Sequence, residues 1–540
     1  MSLLLLHRIP RFCAVLCAAL GGLMNAAAHA APTTLDTSFG NNGLVGATIT
    51  SGVFDLASAS AQQSDGKLVV AGSCLRPGLG SQQICVWRFQ VNGTLDTNFG
   101  SAGIARIDFP GVDAEQRAGN VSMQPDGKIL VAGVCNIGPA MQQPVNQFCV
   151  ARLLPSGALD TQGFAINGLW QARLMPGSMK SDEQLRTMLL QPDGRIRLVG
   201  TCGVYTQISA SAQLLQNYAC HTRLNRDGQI DASYTPEQFE NVNTLQFGET
   251  SVLLADGTVV LAGTCRTPQM GGGAFDYRGC VAQLSASGSV VRSFGSNGFS
   301  VANEPSGQSM AVTAMAVQGS GNVLVGGKCF ATFSSSNHIS CLRRWSASGV
   351  ADSGFPVARS PSLAPYAFQL RALAVQGDGK IVAGGDCPLN SGVTTFVCAA
   401  RSHANGSADV EFINADAALI PISARPDQFA ALTLQADGKI VLAVACGAEQ
   451  SALGISLCMA RLVGGPNEFS ACSGDIDGDG EITITDSLLF TRVALGFTQT
   501  NVTQNIAFAS HAQRKTWPQI RDYLANHCGV QKGRSESVQQ

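Results

Sequence analysis

The sequence predicts an all-β protein, a seven-bladed β-propeller, followed by a small α-helical module. Three observations support this prediction. A tight turn, usually Asp-Gly, recurs seven times at intervals of 58 to 67 residues. Each turn separates two apolar runs typical of strands, and every repeat has one pair of cysteines at the same two places. Four short strands per repeat, joined by hairpin turns, favour a propeller over a β-solenoid, whose coils are usually shorter.

The composition excludes several classes of protein. The chain has 540 residues, a formal net charge of −2, 13% charged residues and 45% hydrophobic residues. A near-neutral chain lacks the basic surface that nucleic-acid binding needs. Its hydrophobic residues are numerous enough to form a core, which argues against disorder, and its Glu and Lys residues are too few for a long coiled coil.

Residues 1–30 have the pattern of a secretory signal peptide. Arg8 and Arg11 are followed by an apolar stretch over 12–24, and 28–30 has the small-x-small pattern of a cleavage site. The apolar stretch is short for a membrane span, and no later run of 18 apolar residues occurs. We therefore expect a secreted or periplasmic protein with no membrane span after signal removal, in an oxidising compartment.

The first two strands of each repeat flank the tight turn. In the second repeat, the run 120–124 precedes Asp126-Gly127-Lys128, and the almost continuously apolar run 129–133 follows it. An Asp-Gly pair between apolar runs is a strong hairpin signal, because Gly tolerates positive φ. One repeat departs from the pattern with Ser in place of Asp. The seven turns begin at Asp65, Asp126, Asp193, Asp256, Ser320, Asp378 and Asp437.

The third and fourth strands follow the second cysteine of each repeat. Third strands read like 149–153, Cys-Val-Ala-Arg-Leu, and a fourth segment follows a second turn, as in the Leu-Asp-Thr-Asn-Phe-Gly sequence of 95–100. A copy of that segment opens the mature chain at 35–43, whereas the seventh repeat ends at 461–465 without one. We therefore expect the N-terminal segment to supply the outer strand of the last blade and to close the ring.

The order of these motifs resembles the delta-60 repeat family of secreted bacterial proteins. The shared features are L-D-T-S-F-G-x-x-G, Q-P-D-G-K-I-L-V-A-G and the A-R-L strand, over roughly residues 33–465. The resemblance implies that 31–465 forms seven such repeats in a bacterial protein, but it implies no activity. The L-D-T-x-F-G segment decays in the later repeats, so the sequence predicts their fourth strands less clearly.

Cysteine pairs flank the loop between the second and third strands of every repeat. Cys13 and Cys17 leave with the signal, and the remaining sixteen are an even number, as a disulfide framework requires. Ends of adjacent antiparallel strands are close enough for disulfides, although buried free thiols are the alternative. The predicted pairs are Cys74 with Cys85, Cys135 with Cys149, Cys202 with Cys220, Cys265 with Cys280, Cys329 with Cys341, Cys387 with Cys398, and Cys446 with Cys458, and Cys472 with Cys528 brackets the C-terminal module.

These loops should lie together at one end of the repeats. Linkers between repeats, such as 109–119, share that end, which we call the bridged-loop face; the tight turns and Leu-Asp-Thr segments occupy the other end, the turn face. Variable loops on a rigid scaffold are where proteins usually bind partners. We expect an unknown protein or glycan on the bridged-loop face; the alternative is that the disulfides only stabilise a secreted scaffold.

A twelve-residue acidic loop of EF-hand type lies near the C-terminus. Hard carboxylate oxygens at this spacing wrap one Ca²⁺, with Gly480 making the sharp turn at position six. Four carboxylates this close would repel one another without a cation; the alternative is an acidic solvated turn. The predicted ligands are Asp475, Asp477 and Asp479 at positions 1, 3 and 5, the Glu481 carbonyl at 7, Thr483 through water at 9 and Asp486 at 12.

The acidic loop and the helix-like segment 487–496 resemble the first half of a type I dockerin, with Asp at position 12. The resemblance makes 466–530 an EF-hand/dockerin-like calcium module and implies a cohesin-like partner from polysaccharide-degrading assemblies. A complete dockerin has two such repeats; here 517–527 has the pattern of a second helix, but no second set of carboxylates precedes it. The residues 531–540 are expected to form a disordered tail.

No catalytic motif is found. G-x-S-x-G, H-E-x-x-H and P-loop patterns do not occur, and no two histidines have metal-ligand spacing. His221 and His338 lie beside or within the bridged loops, and we expect them at the surface. An enzyme is therefore not favoured. The preferred function is a secreted binding or scaffold protein; the alternatives are a glycan-directed lectin or polysaccharide-degrading component, and a cell-surface structural protein anchored by its tail.

Overall fold

The structure is mostly β, as predicted for the repeats. The computed structural model describes residues 33–527 except 47–54, 77–79, 111–114, 138–144, 175–180, 210–211, 238–244, 269–274, 303–308, 331–337, 356–357, 360–367, 389–394, 410–411, 413–417, 421, 424–426, 448–455, 465–475, 479–482, 495–496, 498–499, 510–511 and 513. The signal segment 1–30 and the tail 531–540 lie outside the described residues. None of the described helices is long and apolar enough to cross a membrane.

Most repeats form three long antiparallel strands and a short fourth one. The strands are β1 (Leu44–Val45); in repeat 1, β2 (Asp55–Gln62), β3 (Leu68–Leu75), β4 (Gln82–Phe89) and β5 (Ile104–Ile107); in repeat 2, β6 (Gln116–Met123), β7 (Ile129–Asn136), β8 (Asn146–Leu153) and β9 (Leu169–Ala172); in repeat 3, β10 (Ser181–Leu190), β11 (Ile196–Ser209) and β12 (Ala212–Leu224); in repeat 4, β13 (Leu245–Leu253), β14 (Val259–Pro268), β15 (Phe275–Leu284) and β16 (Phe299–Val301). They continue in repeat 5 with β17 (Ser309–Val317), β18 (Val323–Phe330), β19 (His338–Trp345) and β20 (Ala358–Arg359); in repeat 6 with β21 (Gln369–Val375), β22 (Ile381–Pro388), β23 (Thr395–Ser402) and β24 (Ala418–Ile420); and in repeat 7 with β25 (Asp427–Leu434), β26 (Ile440–Cys446) and β27 (Ser456–Leu462). The helices are α1 (Ile484–Ala494), α2 (Thr500–Thr503) and α3 (Trp517–His527).

The predicted hairpin turn joins the first and second strands. In repeat 2 the Gln124 N–H donates to the Lys128 carbonyl at 2.8 Å, and Gly127 has φ +82°. The turn with Ser in place of Asp closes in the same way, because Gly321 supplies the positive φ of +80°. The second strand pairs on both sides and is buried, which explains its continuous apolar run.

The two ends of the repeat region meet in the sheet of repeat 7. β1 pairs with β27, with Leu44 opposite Ala460, as predicted for the N-terminal segment. Repeats 2 and 3 share one seven-stranded sheet through a single parallel pair, Asn146 and Asp182, and the other described sheets have four strands. First strands of successive repeats contact one another, and β25 returns to β2, where Thr433 Oγ1 lies 2.6 Å from Ser60 Oγ. The number of blades stays a prediction.

An arginine on the third strand joins neighbouring repeats. In repeat 1 the Arg88 Nε donates to Asp96 Oδ2 at 2.8 Å, and its guanidinium lies 4.6 Å from the centre of the Phe99 ring. A second guanidinium nitrogen donates to the Pro155 carbonyl of repeat 2 at 2.5 Å. We call this set the arginine clamp. It is built on Arg88, Arg152, Arg223, Arg344, Arg401 and Arg461.

A glycine of the next repeat packs against most of the clamp aromatics. Gly157 has φ +90°, and a Cβ there would lie only 3.0 Å from the Phe99 ring. The aromatic is therefore packed between its own arginine and the next repeat's backbone. The last clamp uses Arg461, whose partners Asp36 and Phe39 come from the N-terminal segment, so it also joins the two ends of the repeat region.

Repeat 4 replaces the charged part of the clamp as a unit. Where repeat 1 has Lys67, Arg88 and Asp96, repeat 4 has Thr258, Gln283 and Val291. The Gln283 amide donates to Thr258 Oγ1 at 2.9 Å. Loss of the arginine is thus accompanied by loss of the carboxylate that would otherwise stay buried without it. The aromatic residue, Phe294, is kept and packs under Gly349.

This replacement predicts how the clamp responds to mutation. Arg88→Gln alone should lower the free energy of unfolding by roughly 2–3 kcal/mol, because Asp96, which is 1% exposed, keeps only Lys67 as a cationic partner. Adding Asp96→Val and Lys67→Thr, the set found in repeat 4, should recover at least half of that loss. Urea unfolding of the three proteins checks this, and a triple variant no more stable than the single one would contradict it.

Candidate functional site

The structure forms all seven disulfides predicted within the repeats. Their Cα–Cα distances are 5.7 to 6.0 Å, each joins the second strand to the third strand beside it, and their cysteines are buried. The seven bridges therefore fall at the same end of their sheets, the bridged-loop face. They join Cys74 to Cys85, Cys135 to Cys149, Cys202 to Cys220, Cys265 to Cys280, Cys329 to Cys341, Cys387 to Cys398, and Cys446 to Cys458. The eighth predicted pair, Cys472 and Cys528, lies outside the described residues.

A buried polar residue opposite the first cysteine holds the linker in several repeats. The Gln116 side chain, opposite Cys135, accepts a hydrogen bond from the Phe109 backbone N–H at 3.2 Å. Glu183, opposite Cys202, accepts one from the Leu174 N–H at 2.7 Å. The sequence argument missed these residues, because both first strands carry several other polar side chains. They fix the linkers that share the bridged-loop face.

Asp55 occupies the corresponding place in repeat 1, opposite Cys74. Burial raises the pKa of Asp55 to about 6, and the charge of nearby Arg106 opposes that rise. Arg106 also contacts Cys74 Sγ at 2.8 Å. This carboxyl therefore changes charge near pH 6 on the bridged-loop face.

The structure brings together the predicted calcium ligands that it describes. Both oxygens of Asp486 accept hydrogen bonds from the loop: Oδ1 from the Ile476 and Asp477 N–H groups at 2.5 and 3.0 Å, and Oδ2 from the N–H and hydroxyl of Thr483 at 2.8 and 3.0 Å. Asp477 is 0% and Asp486 1% exposed. Burial would raise the pKa of Asp486, but these hydrogen bonds together hold it below its ordinary value.

The other predicted ligands, Asp475, Asp479 and Glu481, lie outside the described residues. No group of three or more His, Cys, Asp or Glu side chains that could hold a metal ion occurs in the described part of the chain. Only two of the predicted carboxylates belong to that part, so the calcium loop stays a prediction.

Both predicted helices of the C-terminal module are present. The first begins at Ile484, earlier than the predicted 487, because Thr483 caps it: the Thr485 N–H donates to Thr483 Oγ1 at 3.2 Å. The second spans the predicted 517–527. Arg514, which the sequence argument missed, holds the loop from outside: its Nε donates to the Ile476 carbonyl at 2.8 Å. The helices pack around Ile476, Leu489, Val502, Ile520 and Leu524.

The prediction that His221 lies at the surface is wrong. It is 3% exposed, and its Nδ1 lies 2.6 Å from the Tyr234 hydroxyl while Nε2 lies 3.2 Å from the Glu237 carbonyl. A carbonyl accepts, so Nε2 carries the proton and Nδ1 accepts from Tyr234. Burial raises the pKa of Tyr234 to about 12, which keeps that phenol a donor. The side chain of His338 lies outside the described residues.

Arg197 completes a polar cluster in the core between repeats 3 and 4. It is 0% exposed, lies 4.8 Å from the centre of the Tyr234 ring, and donates to the Ser285 and Ala286 carbonyls at 2.6 and 3.1 Å. The His221 ring and the Tyr234 hydroxyl are an acid–base pair, but both are buried, and a substrate would not reach them. The residues equivalent to Arg197 elsewhere are apolar: Val69, Leu130, Val260, Leu324, Val382 and Val441.

A family model described as a domain of unknown function (DUF5122) beta-propeller matches residues 63–99 and 124–162. These stretches lie in repeats 1 and 2. The match supports a β-propeller repeat family. No curated protein matches the chain significantly.

Several solved structures are similar at low identity. A protein of unknown function from Dyadobacter fermentans is 10% identical, with a TM-score of 0.40 over 64% of this chain and 93% of that one. A PL25 ulvan lyase is 10% identical, with a TM-score of 0.44 over 77% of this chain and 95% of that one. The β-propeller domain of the Trilobed protease from Pyrococcus furiosus is 10% identical, with a TM-score of 0.37 over 76% and 94%.

The burial of His221 predicts a specific pH dependence. Burial lowers its pKa from 6.5 to about 4, so between these values the unfolded chain binds a proton that the folded chain does not. Stability should therefore fall as the pH drops below 6.5, by about 2 kcal/mol at pH 5 from this residue. His221→Leu should lack that contribution. Thermal unfolding of both proteins at pH 7.5 and 5 checks this; parallel pH profiles would contradict it.

Proposed function

We propose that this chain is a secreted, disulfide-stapled, seven-bladed β-propeller that acts as a binding or scaffold protein. The proposal rests on one observation: the contacts between repeats and the disulfide-anchored loops lie on opposite faces. Arginine clamps tie the repeats together on the turn face, while the seven disulfides hold variable loops on the bridged-loop face. The ring of seven delta-60-like blades is supported by the contact of β25 with β2 and by the clamp between Arg461 and Asp36.

The loops between paired cysteines differ in length, whereas the distance between the two cysteines of each pair stays nearly constant. Paired cysteines are 11 to 18 positions apart, yet their Cα distances vary by only 0.3 Å, from 5.7 to 6.0 Å. A loop that is ordered before binding loses less entropy on binding. The bridged-loop face is therefore the proposed site for a protein or glycan partner, and the alternative function is a glycan-directed lectin or enzyme component.

The role of the disulfides in binding can be tested directly. We expect the mature chain to be retarded by at least one member of a polysaccharide panel in affinity electrophoresis. Selective reduction and alkylation should abolish that retardation while the far-UV circular dichroism keeps its β-sheet signal, because removing the cross-links increases the entropy that a loop loses on binding. Retention of binding after all seven bridges are alkylated would contradict the proposal.

The C-terminal module is proposed to bind Ca²⁺ and to serve as a docking module, with a cohesin-like partner. The donor set fits this ion: Asp477 and Asp486 offer hard carboxylate oxygens, and both are buried side by side in the loop. Burying two negative charges together is costly, and a bound cation offsets that cost. When bound, Ca²⁺ would fix the loop that precedes α1.

Calcium binding predicts a metal-dependent unfolding temperature. After EDTA treatment, CaCl₂ alone should raise the unfolding temperature of the module, since 100-fold excess over Kd adds about 2.7 kcal/mol. Asp477→Asn should remove most of this rise. We choose Asp477 for substitution rather than Asp486, because Asp486 also accepts hydrogen bonds from the loop backbone and its loss would disturb the loop itself.

The matched control is Asp65→Asn, which removes a carboxylate from an exposed turn of repeat 1. It should keep the full calcium-dependent rise. An equal rise in the Asp477→Asn protein, or no rise in the unmodified chain, would overturn the calcium assignment.

A further inference from the structure

Every first strand carries a β-bulge at the same level. Pairing with the second strand skips a residue in each repeat, and in repeat 4 it skips two. Bulges redirect a side chain out of the regular pleat and are frequent beside functional sites. The bulged residues are Ser58, Gly119, Arg186, Gly248 with Glu249, Thr313, Arg371 and Ala430.

In repeat 2 the bulged residue has no side chain, and a cleft lies at that place. A Cβ built on Gly119 meets no atom within 4 Å. The cleft, which we call the bulge cleft, measures about 360 Å³ and lies between the first strands of repeats 2 and 3. That volume is within the usual range for small-ligand sites. Its polar lining consists of Glu115, Arg117, Asn136, Asn146 and Gln184.

Two amides of the lining are held by one carboxylate. Asp182 Oδ1 accepts from the Asn146 amide at 2.6 Å and from the Gln184 amide at 2.5 Å. Asn146 and Asp182 are also the pair that joins the sheets of repeats 2 and 3. Each amide uses one N–H in this way and keeps a carbonyl oxygen and a second N–H for other partners. Fixed groups that both donate and accept suit the hydroxyls of a carbohydrate.

The charged residues of the bulge cleft indicate which class of ligand would fit it. Arg117 is paired with Glu115, and their side chains are 61% and 51% exposed. An exposed pair of this kind contributes little to stability, so its guanidinium can exchange partners at low cost. A guanidinium binds a carboxylate through two parallel hydrogen bonds. The lining therefore favours a hydroxyl-rich ligand that carries a carboxylate.

We propose that the bulge cleft binds an acidic oligosaccharide of the uronic-acid type. Arg117 receives the carboxylate, Asn146 and Gln184 receive hydroxyls, and Gly119 leaves the space. This proposal rests on the proposed function, because it locates a glycan site on the bridged-loop end of β6 and names the class of glycan.

The test uses glycine variants that should fold normally. Gly119→Phe adds a side chain at a place where a Cβ meets no atom within 4 Å, so that the ring should occupy the cleft. Gly319→Phe is its matched control, since Gly319 also has open space at its Cβ but lies in the turn of repeat 5. Isothermal titration with oligogalacturonides should show binding by the unmodified chain and by Gly319→Phe. Gly119→Phe and Arg117→Gln should each weaken binding at least tenfold, while unfolding temperatures stay within a few degrees.

Two results would overturn the proposal. Equal binding of oligogalacturonides by Gly119→Phe and the unmodified chain would exclude the bulge cleft but leave the bridged-loop face as a binding face. If neutral oligosaccharides bind as strongly, and their binding depends equally on Arg117, then Arg117 does not recognise a carboxylate and the ligand is not an acidic glycan. Binding that survives alkylation of all seven disulfides instead contradicts the proposed function itself, so the two failures are distinguishable.

Discussion

The structure depends on the joints between neighbouring repeats, and in six of the seven repeats the joint includes an arginine clamp. A third-strand arginine such as Arg88 reaches a buried carboxylate, an aromatic ring and a carbonyl of the next repeat at once. Each sheet buries little apolar surface alone, so the joints between sheets decide whether the array holds together. The guanidinium suits this task because its planar group donates in several fixed directions and stacks on a ring at the same time.

Because the clamps act on the turn face, the opposite end of the repeats is free to vary. There the chain must still anchor loops of different length, and it does so with disulfides and with buried polar residues such as Gln116 and Glu183 that hold the linkers. Closing loops of this size restricts the unfolded chain by roughly 3 kcal/mol per bridge in the entropy model. Seven bridges fit an oxidising compartment. The contacts that join the repeats and the loops that vary in length therefore lie at opposite ends of the same strands.

Local patterns in the sequence predicted the strands, turns, disulfides and the pairing of the N-terminal segment with the last repeat. Each of these depends on residues a few positions apart, or on a missing copy of a regular motif. The clamp was not predicted, since its acceptor, such as the Pro155 carbonyl for Arg88, belongs to the next repeat and is a backbone atom. The bulges were not predicted either, because the bulged residues share no residue type that would mark them in the sequence. His221 was misplaced because a histidine beside a loop was judged by its neighbours rather than by its inward register on the strand.

The departures from the repeat show that one joint can be built in two ways. Repeat 3 sends two guanidiniums, Arg223 and Arg197, to carbonyls of repeat 4. Repeat 4 has Gln283 at the place of the clamp arginine, and its joint to repeat 5 keeps the backbone bond from Gly295 N–H to the Ser348 carbonyl and the packing of Phe294 under Gly349. The packing of the aromatic against a glycine is therefore the part that this joint shares with most of the others. The charges are a removable addition, provided that cation and carboxylate leave together, because either one alone would stay buried without a partner.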